Sequence, residues 1–445
     1  MKTTNSRSFT HEVSGLRRFP GSGKTLFILF LAFSFTYFAR AEDAASSLAS
    51  NVVHENAAAS HPAVTAGSNG LIFSTSDGAT TVQIHGYAQA DDRMFSSNIR
   101  GQELDTFFFR RIRPLFEGTL FNAVDFRFMP DFGQYNPQIQ EAYLEWKTLP
   151  YAKFRVGKFK EPIGLEALRQ DRDLSFPERS LASDALPLRY MGAQVSGSLL
   201  SNSVSYAAGY FNGSSDGSNG NFQWLPANEF ASRVFLLPFT KTRLTALRQL
   251  GFGLAGSIAN QHGAIAGLKT MAQSTFFKYS SSTVADGQHT RISPQGYYYF
   301  GPVGILGEYV MSSQDVIHGV QKASITNQAW QVAGSIVLTG EKNSYSGIKP
   351  RNNFEPSRGL RHVGAFELAF RYSQLRVGSN AFPIFASAKT AAQAADERAI
   401  GLNWYLNRFV KLTTDLEYTS FTMASKSVTP LHNEIVLMNR VQLAF

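Results

Sequence analysis

From about residue 79 to residue 445 the chain is a succession of short runs in which apolar and polar residues alternate, separated by Gly, Asn, Pro and Asp. In one run Ile112, Phe116 and Leu120 fall on one face, whereas Arg111 and Glu117 fall on the other. Successive side chains of a β-strand point to opposite faces, so this period predicts half-buried strands. We therefore expect an all-β chain.

The same period recurs in later runs, at residues 124–129, 141–148, 330–338, 366–372, 410–418 and 435–445. Phe121-Asn122-Ala123, between the first two runs, predicts a tight turn. The apolar faces carry Phe, Tyr and Trp at strand ends, which favours the aromatic girdles of a membrane barrel over the core of a soluble sandwich. Lipid cannot satisfy an open sheet edge, so the strands have to close. Allowing about 25 residues per strand and connection, we predict a transmembrane antiparallel up-and-down β-barrel of about 16 strands.

The first 41 residues have the pattern of a cleaved secretory signal peptide. Basic residues at 17, 18 and 24 precede an apolar run of thirteen residues at 26–38, and Ala39 and Ala41 satisfy the small-x-small cleavage rule. Thirteen helical residues cover about 20 Å, less than the roughly 30 Å of a hydrocarbon core, which argues against the alternative of a membrane anchor. We predict a signal peptide at 1–41, a flexible leader at 42–78 and one barrel domain at 79–445, in the outer membrane of a Gram-negative-type envelope.

Composition narrows the possible functions. The chain has no cysteine, which excludes disulfide scaffolds, thiolate metal sites and cysteine nucleophiles. Its formal charge of +9 falls to +4 once the predicted signal peptide is removed. Residues 1–41 hold 6 of the 42 Lys/Arg and 1 of the 33 Asp/Glu, which leaves 36 basic and 32 acidic residues. Such a mild surplus hints at anionic solutes and is too weak to indicate nucleic acid.

One long segment, residues 158–190, lacks alternation. It contains three prolines and is dense in both charges, and a connection of this length is usually functional. We predict that it folds into the lumen as a constriction. The basic candidates within it for contacts with anions are Lys158, Lys160, Arg169, Arg172 and Arg179. Glu161, Asp171 and Asp173 would limit how tightly an anion such as phosphate is held.

Parity along the strands places further basic residues on the inward face. These pore-lining candidates are Arg111, Arg113, Arg127, Lys147, Arg155, Arg371 and Arg440. Arginine suits oxyanions because its planar fork offers paired donors. An alternative is that they only pair across strands and stiffen the wall. The carboxylates available for such pairing are Glu117, Asp125, Asp131, Glu141, Glu145 and Glu367.

A series of short motifs, in order from residue 82 to residue 445, is similar to one known family. The motifs are 86–91 (GYAQAD), 109–113 (FRRIR), 117–118 (EG), 142–144 (AYL), 156–162 (VGKFKEP), 178–180 (ERS), 307–309 (GEY), 338–341 (LTGE), 364–373 (GAFELAFRYS) and 401–407 (GLNWYLN). On these residues the chain resembles the phosphate-selective porin O and P family.

The resemblance implies a 16-stranded homotrimeric barrel whose Arg and Lys guide anions to a narrow zone, with the inward loop following residues 158–162. It also implies that barrel-assembly machinery reads the terminal Phe445 as an assembly signal. One departure stands out, because Ala167 follows Gly164-Leu165-Glu166 where phosphate-selective members place a lysine. This departure weakens the expectation of phosphate specificity and leaves the expectation of a porin intact.

Enzyme signatures are not convincing. Residues 21–25 resemble the end of a phosphate-binding loop, but Arg18 stands where its first Gly belongs, and residues 213–217 match a nucleophile elbow within a Gly/Ser-rich loop. The nine histidines lack metal-ligand spacing. We expect no enzyme, no cofactor and no metal.

The sequence predicts a passive, water-filled channel for small solutes with weak selectivity for anions such as phosphate. Its partners would be small anionic solutes and outer-membrane lipid. The alternative is a barrel with a closed lumen that acts as a surface adhesin or structural anchor, through loops such as residues 212–228. An outer-membrane hydrolase is a more remote alternative, and would require a Ser/His pair on the outer face of the barrel.

Overall fold

The computed structural model describes residues 62–67, 70–99, 105–134, 137–149, 151–213, 228–359, 361–425 and 431–445. The predicted signal peptide and the cleavage position lie outside the described residues. The strands are β1 (Ala63–Gly67), β2 (Gly70–Ser74), β3 (Thr81–Ser97), β4 (Thr106–Leu120), β5 (Val124–Asp131), β6 (Gln138–Leu149), β7 (Ala152–Lys160), β8 (Arg189–Leu199), β9 (Val204–Phe211), β10 (Asn228–Leu236), β11 (Leu250–Gly263), β12 (Leu268–Lys269), β13 (Thr275–Phe277), β14 (Thr283–Phe300), β15 (Val303–His318), β16 (Gln321–Val337), β17 (Ala365–Arg376), β18 (Ala392–Tyr405), β19 (Val410–Met423) and β20 (Glu434–Ala444).

Helical segments are few and short within the described part of the chain. They are one α-helix, α1 (Leu181–Asp184), and 3₁₀ turns at Asp171–Asp173, Thr245–Leu247, Pro356–Arg358 and Ser379–Ala381. None of the described helices has the length and hydropathy needed to cross a membrane.

Strands β3–β11 and β14–β20 form a closed ring of sixteen strands, each antiparallel to its neighbours. The ring closes where β20 pairs with β3, with Met438 opposite Arg93 and Gln442 opposite Gln89. The predicted 16-stranded up-and-down barrel is therefore confirmed.

The alternation in the sequence decides which face each side chain takes. On β19, Lys411, Thr413 and Asp415 are buried inside the barrel, whereas Leu416 on the outer face is 47% exposed. On β20, Arg440 is buried and its neighbour Val441 is exposed. These two strands thus turn an apolar face outward and a charged or polar face to the lumen.

The two ends of the barrel differ in the length of their connections. Connections are short at one end, the turn end, at residues 121–123, 150–151, 200–203, 301–302 and 406–409. The predicted turn is present there, since Phe121 and Asn122 have positive φ and the Ala123 N–H donates to the Leu120 carbonyl at 3.0 Å. The opposite end, the loop end, carries the long connections 161–188, 264–282 and 377–391, together with the two-residue turn 319–320.

One connection at the turn end, residues 338–364, is unexpectedly long and enters the lumen. The Tyr345 hydroxyl donates to the Leu165 carbonyl at 2.6 Å, so this segment supports the connection 161–188 from the turn side. Ile348 packs in a buried cluster with Val337 and Tyr405 on the barrel wall. No pattern in the sequence predicted this inward segment.

Part of the predicted flexible leader is a β-hairpin in the structure. β1 pairs with β2, and β2 pairs with β3, with Phe73 opposite Val82. The hairpin begins where β20 stops, because Phe445 pairs with Gly86 further along β3. The difference from the prediction arises because residues 70–74 (GLIFS) can continue a sheet that the last strand leaves unpaired.

At the loop end, a hydrophobic cluster fills one side of the opening. The connection 264–282, with its small hairpin β12–β13, contributes Phe276 and Phe277, and the connection 377–391 contributes Phe385. They pack against Leu181 of α1. This cluster covers the strands around β15–β20.

Candidate functional site: the lumen and its constriction loop

The connection 161–188, called here the constriction loop, folds into the barrel from the end of β7. It starts with a turn at Gly164, whose φ is +77° and where an added Cβ would lie 2.4 Å from Leu186 Cδ1. The next two backbone N–H groups, of Leu165 and Glu166, donate to the Glu308 carboxylate on β15 at 2.6 and 3.1 Å. A wall carboxylate therefore fixes the point where the loop enters the lumen.

Glu166 then ties the two arms of the loop together. Its carboxylate accepts hydrogen bonds from the Ser180 N–H at 2.8 Å, the Ser183 hydroxyl at 2.9 Å and the Gln331 side chain at 3.0 Å. Burial raises the pKa of a carboxyl, but the charge of Arg371 and the bonds from Ser180 outweigh it and lower the pKa of Glu166. The carboxylate is thus held in its charged form.

The loop carboxylate of Glu178 is surrounded by four wall arginines. Nitrogen–oxygen distances to it are 2.5 Å for Arg110, 3.2 Å for Arg93, 3.4 Å for Arg111 and 3.5 Å for Arg440. Burial alone would raise the pKa of Glu178, but these charges hold it well below the ordinary value.

Asp171 is held in the same way on a neighbouring part of the wall. Its carboxylate forms ion pairs with Arg113, with Arg179 at 2.5 Å and with Arg189 at 3.5 Å. These arginines, together with Arg111, outweigh burial and keep the pKa of Asp171 well below its usual range. The acids of the loop thus bind the basic wall directly.

The other predicted basic residues of the segment have mixed surroundings. Lys158 and Lys160 belong to β7 rather than to the loop, and Lys160 Nζ donates to the carbonyls of Ala167 (2.9 Å) and Arg169. Arg169 donates to the Asp173 carbonyl and lies over the Tyr345 ring. Arg179 forms an ion pair with Asp171, whereas the side chain of Arg172 is 31% exposed. Of the loop bases, Arg172 is thus the most open to water.

Three of the seven predicted pore-lining residues lie towards the turn end and pair across strands. Arg127 lies 2.6 Å from Glu117, Lys147 lies 2.6 Å from Asp125, and Arg155 lies 2.6 Å from Glu145. The side chains of the three bases keep between 23% and 31% of their surface exposed. These ion pairs therefore stiffen the barrel wall, and the three bases remain partly exposed to water in the lumen.

Two others, on β17 and β20, anchor the loop. Arg371 pairs with Glu397 at 2.7 Å, donates to the Glu178 carbonyl at 2.9 Å and lies over the Phe176 ring. Arg440 forms a two-pronged ion pair with Asp91 and donates to the Pro177 carbonyl at 2.6 Å. The remaining two, Arg111 and Arg113, bind Glu178 and Asp171 as described above.

Within the described part of the barrel, the constriction loop is flanked by two large cavities that water can enter. The larger, of about 1110 Å³, lies at the loop end and is called the vestibule; the smaller, of about 350 Å³, lies towards the turn end and is called the lower chamber. Arg189 lines the vestibule and Glu141 lines the lower chamber, and Arg189 Nε lies 3.2 Å from Glu141 Oε1. The two cavities are thus separated at an ion-paired contact beside Asp171.

Four arginines of these cavities, Arg110, Arg189, Arg233 and Arg291, were not among the predicted residues. Arg110 is the extra residue of a β-bulge, since Gln89 pairs with Arg111 and the next position, Ala90, pairs with Phe109. A bulge shifts strand parity, which simple alternation does not anticipate. Arg189 lies in the proline-containing segment that lacks alternation, so parity could not assign it to a face. Arg233, on β10, donates to Gln295 and forms no ion pair with any described carboxylate; its inward parity could have revealed it.

The described residues contain no group of three or more His, Asp or Glu side chains arranged to hold a metal ion. The two cavities are lined by fixed charges, hydrogen-bond donors and aromatic rings.

The fold resembles that of several solved outer-membrane proteins. The anion-selective porin from Comamonas acidovorans is 12% identical, with a TM-score of 0.52 over 82% of this chain and 100% of that one. The channel DcaP of Acinetobacter baumannii is 10% identical, with a TM-score of 0.53 over 82% and 98%. The trimer form of OmpT from Vibrio cholerae is 13% identical, with a TM-score of 0.50 over 82% and 100%. At these identities the similarity establishes the fold alone.

The comparison with protein families is more specific. No curated protein matches the chain significantly. The family described as phosphate-selective porin O and P, however, matches residues 82–445, which is the whole barrel. The chain therefore belongs to the phosphate-selective porin O and P family, and its barrel is an outer-membrane porin channel rather than an enzyme.

Proposed function

We propose that the protein is a passive diffusion channel with a modest preference for anions, whose narrow zone is formed by the constriction loop against β4–β8. The observation that carries this proposal is the sign of the charge along the two cavities. The vestibule is lined by seven bases and four carboxylates, and the lower chamber by four bases and one carboxylate. A constricted path with such a surplus attracts anions.

The position of the constriction loop explains why acids on the far wall do not cancel this surplus. Glu308 is covered by the backbone of the loop, and Glu367 by Ser175. Glu397 and Glu417 are occupied by Arg371, which itself lies under the loop. None of these four described carboxylates lines either cavity. The loop therefore divides an acidic wall from a basic path.

Because nearly all of the bases are already paired, the preference should be modest rather than strict. Purified protein in a planar bilayer with a KCl gradient should give stepwise channels whose reversal potential favours chloride. Absence of channels would instead support the alternative of a closed adhesin or anchor. Most of the loop invoked for that alternative, residues 214–227, lies outside the described residues.

Replacing both Arg111 and Arg113 with Ala should lower the anion preference measured by reversal potential. The change removes two bases of the vestibule while the strand register of β4 stays supported by β3 and β5. Arg398→Ala is the matched control, because Arg398 lies outside the lumen against the rings of Tyr372 and Tyr418. An unchanged reversal potential in the double variant would show that these arginines serve only the wall.

We further propose delivery by the signal peptide and assembly of the barrel as a homotrimer by barrel-assembly machinery. The family membership and the trimer form of the similar OmpT fold support the trimer. The apolar run of residues 26–38 and the small residues Ala39 and Ala41 support cleavage.

The mature chain should begin at Glu42. Amino-terminal sequencing of protein extracted from outer membranes gives the answer directly. A chain that retains residues 26–38 would contradict the proposal and favour an anchored form.

A further inference from the structure

The vestibule has two unlike walls. One wall is basic, and each of its arginines already has a carboxylate partner: Arg110 and Arg111 pair with Glu178, Arg113 and Arg179 with Asp171, Arg189 with Glu141 and Arg291 with Glu229. A small, doubly charged oxyanion needs several open donors to replace its water, and this wall offers few. The wall does supply a net positive field.

The facing wall is apolar. Leu186 and Leu188, on the returning arm of the constriction loop, line the vestibule together with Ala264, Ile265 and Leu268. Leu186, Ile265 and Leu268 are half-buried, with one side packed on the hydrophobic cluster of the loop end. Their other side lines the vestibule beside Asp184 and Lys269, so apolar surface is available there to a ligand.

The lower chamber repeats this combination on a smaller scale. Tyr143 lines it, with Arg127 at 5.9 Å and Arg155 at 4.2 Å from its ring centroid. Pro162 and Leu168 of the loop add apolar surface to the same chamber. Along the path, a base is thus accompanied by an aromatic or aliphatic side chain in both cavities.

We propose that the vestibule is a binding site for organic monocarboxylates with an apolar body, aromatic ones above all, in preference to inorganic phosphate. The inference rests on the anion preference proposed above and names the class of anion. The carboxylate lies toward the arginine wall, where one charge suffices, and the apolar body lies against Leu186 and Ile265. A ring also stacks on guanidinium planes and on Tyr143 during passage.

The test measures block of the chloride current through single channels by potassium benzoate, potassium acetate or potassium phosphate. Acetate carries the same head group without the ring, so the comparison isolates the apolar body. Benzoate should half-block the current at about tenfold lower concentration than acetate or phosphate, as expected for burial of one ring face. Ile265→Ser and Leu186→Ser should each raise the half-blocking benzoate concentration severalfold. Val320→Ser, an equally apolar change on the exposed turn between β15 and β16, should leave it unchanged.

Phosphate or acetate blocking as well as benzoate would overturn the inference, and the wild-type measurement decides this even if a variant fails to assemble. Block by benzoate that is insensitive to both serine variants would also overturn it. Reversal potentials in KCl, taken on the same channels, separate this failure from failure of the proposed function. A channel that prefers chloride but does not discriminate benzoate refutes only the present inference.

Discussion

Deletion of residues 167–184 should raise the single-channel conductance by roughly two- to threefold, because a ring of 16 strands leaves a wide aqueous lumen unless a segment fills it. The deleted residues include α1, the 3₁₀ turn and both docked carboxylates, Asp171 and Glu178. Without them the vestibule and the lower chamber become one space. The measurement is a comparison of conductance histograms in planar bilayers at one salt concentration.

The anion preference should rise together with the conductance. Arg110 and Arg111 lose Glu178, and Arg113 and Arg189 lose Asp171 as one of their two carboxylate partners, so the basic wall facing the enlarged path is less neutralised. The double substitution Asp171→Asn and Glu178→Gln is the companion variant, since it loosens the loop without shortening the chain. Unchanged conductance in both variants would place the loop outside the conducting path.

Acid should not mimic the deletion. The pKa values of Asp171 and Glu178 lie below their ordinary range, so both groups stabilise the docked loop at every pH above the unfolded pKa of about 4. That contribution is lost only as the pH falls through the depressed pKa values. Conductance should therefore be constant between pH 7 and pH 5, and recordings over this range are the check on the ion pairs described above.

Removal of Phe445 should leave folded trimer scarce in the outer membrane. Its backbone N–H donates to the Gly86 carbonyl, and the Gly86 N–H donates to its carbonyl, both at 2.9 Å, so this residue contributes the last pair of bonds across the closing seam. The residue is 50% exposed on the outer face, where the proposed assembly machinery would contact its ring. The yield of heat-dissociable trimer in membrane fractions is the measurement.

A substitution separates these two roles of Phe445. Phe445→Ala keeps both backbone bonds and loses only the ring, so it should reproduce the loss of trimer if the ring is recognised during assembly. Leu443→Ala, an equally exposed apolar residue on the same strand, is the control and should assemble normally. Normal trimer yield from Phe445→Ala would show that the ring is one more lipid-facing side chain.

The alternation of residues was sufficient to predict the barrel and the faces of its strands. Arg127, Lys147 and Arg155 lie on the inward face that parity assigned to them. Alternating side chains can be assigned to the two faces of a strand in only two ways, and the apolar residues have to face away from the aqueous lumen. The constriction segment could also be located, since prolines and mixed charge cannot continue a wall strand. Its limits moved from 158–190 to 161–188 because β7 continues to Lys160.

What a side chain contacts could not be read in the same way. The four arginines around Glu178 come from β3, β4 and β20, which closure brings together over more than three hundred positions of sequence. Arg110 turns inward through a bulge, and bulges leave no reliable mark in composition. Residues 338–364 enter the lumen through contacts with the constriction loop, so no local pattern announces them.

The seam between β20 and β3 also governs how the folded protein unfolds and is degraded. In a closed ring every strand has two neighbours, so no strand can peel away from an edge and unfolding has to break two ladders at once. Such a barrier sets the lifetime of the folded state by its unfolding rate rather than by its equilibrium free energy. Turnover of the protein in the cell would then depend on unfolding or extraction of the whole barrel, because local opening of the wall does not expose a free strand that a protease can bind.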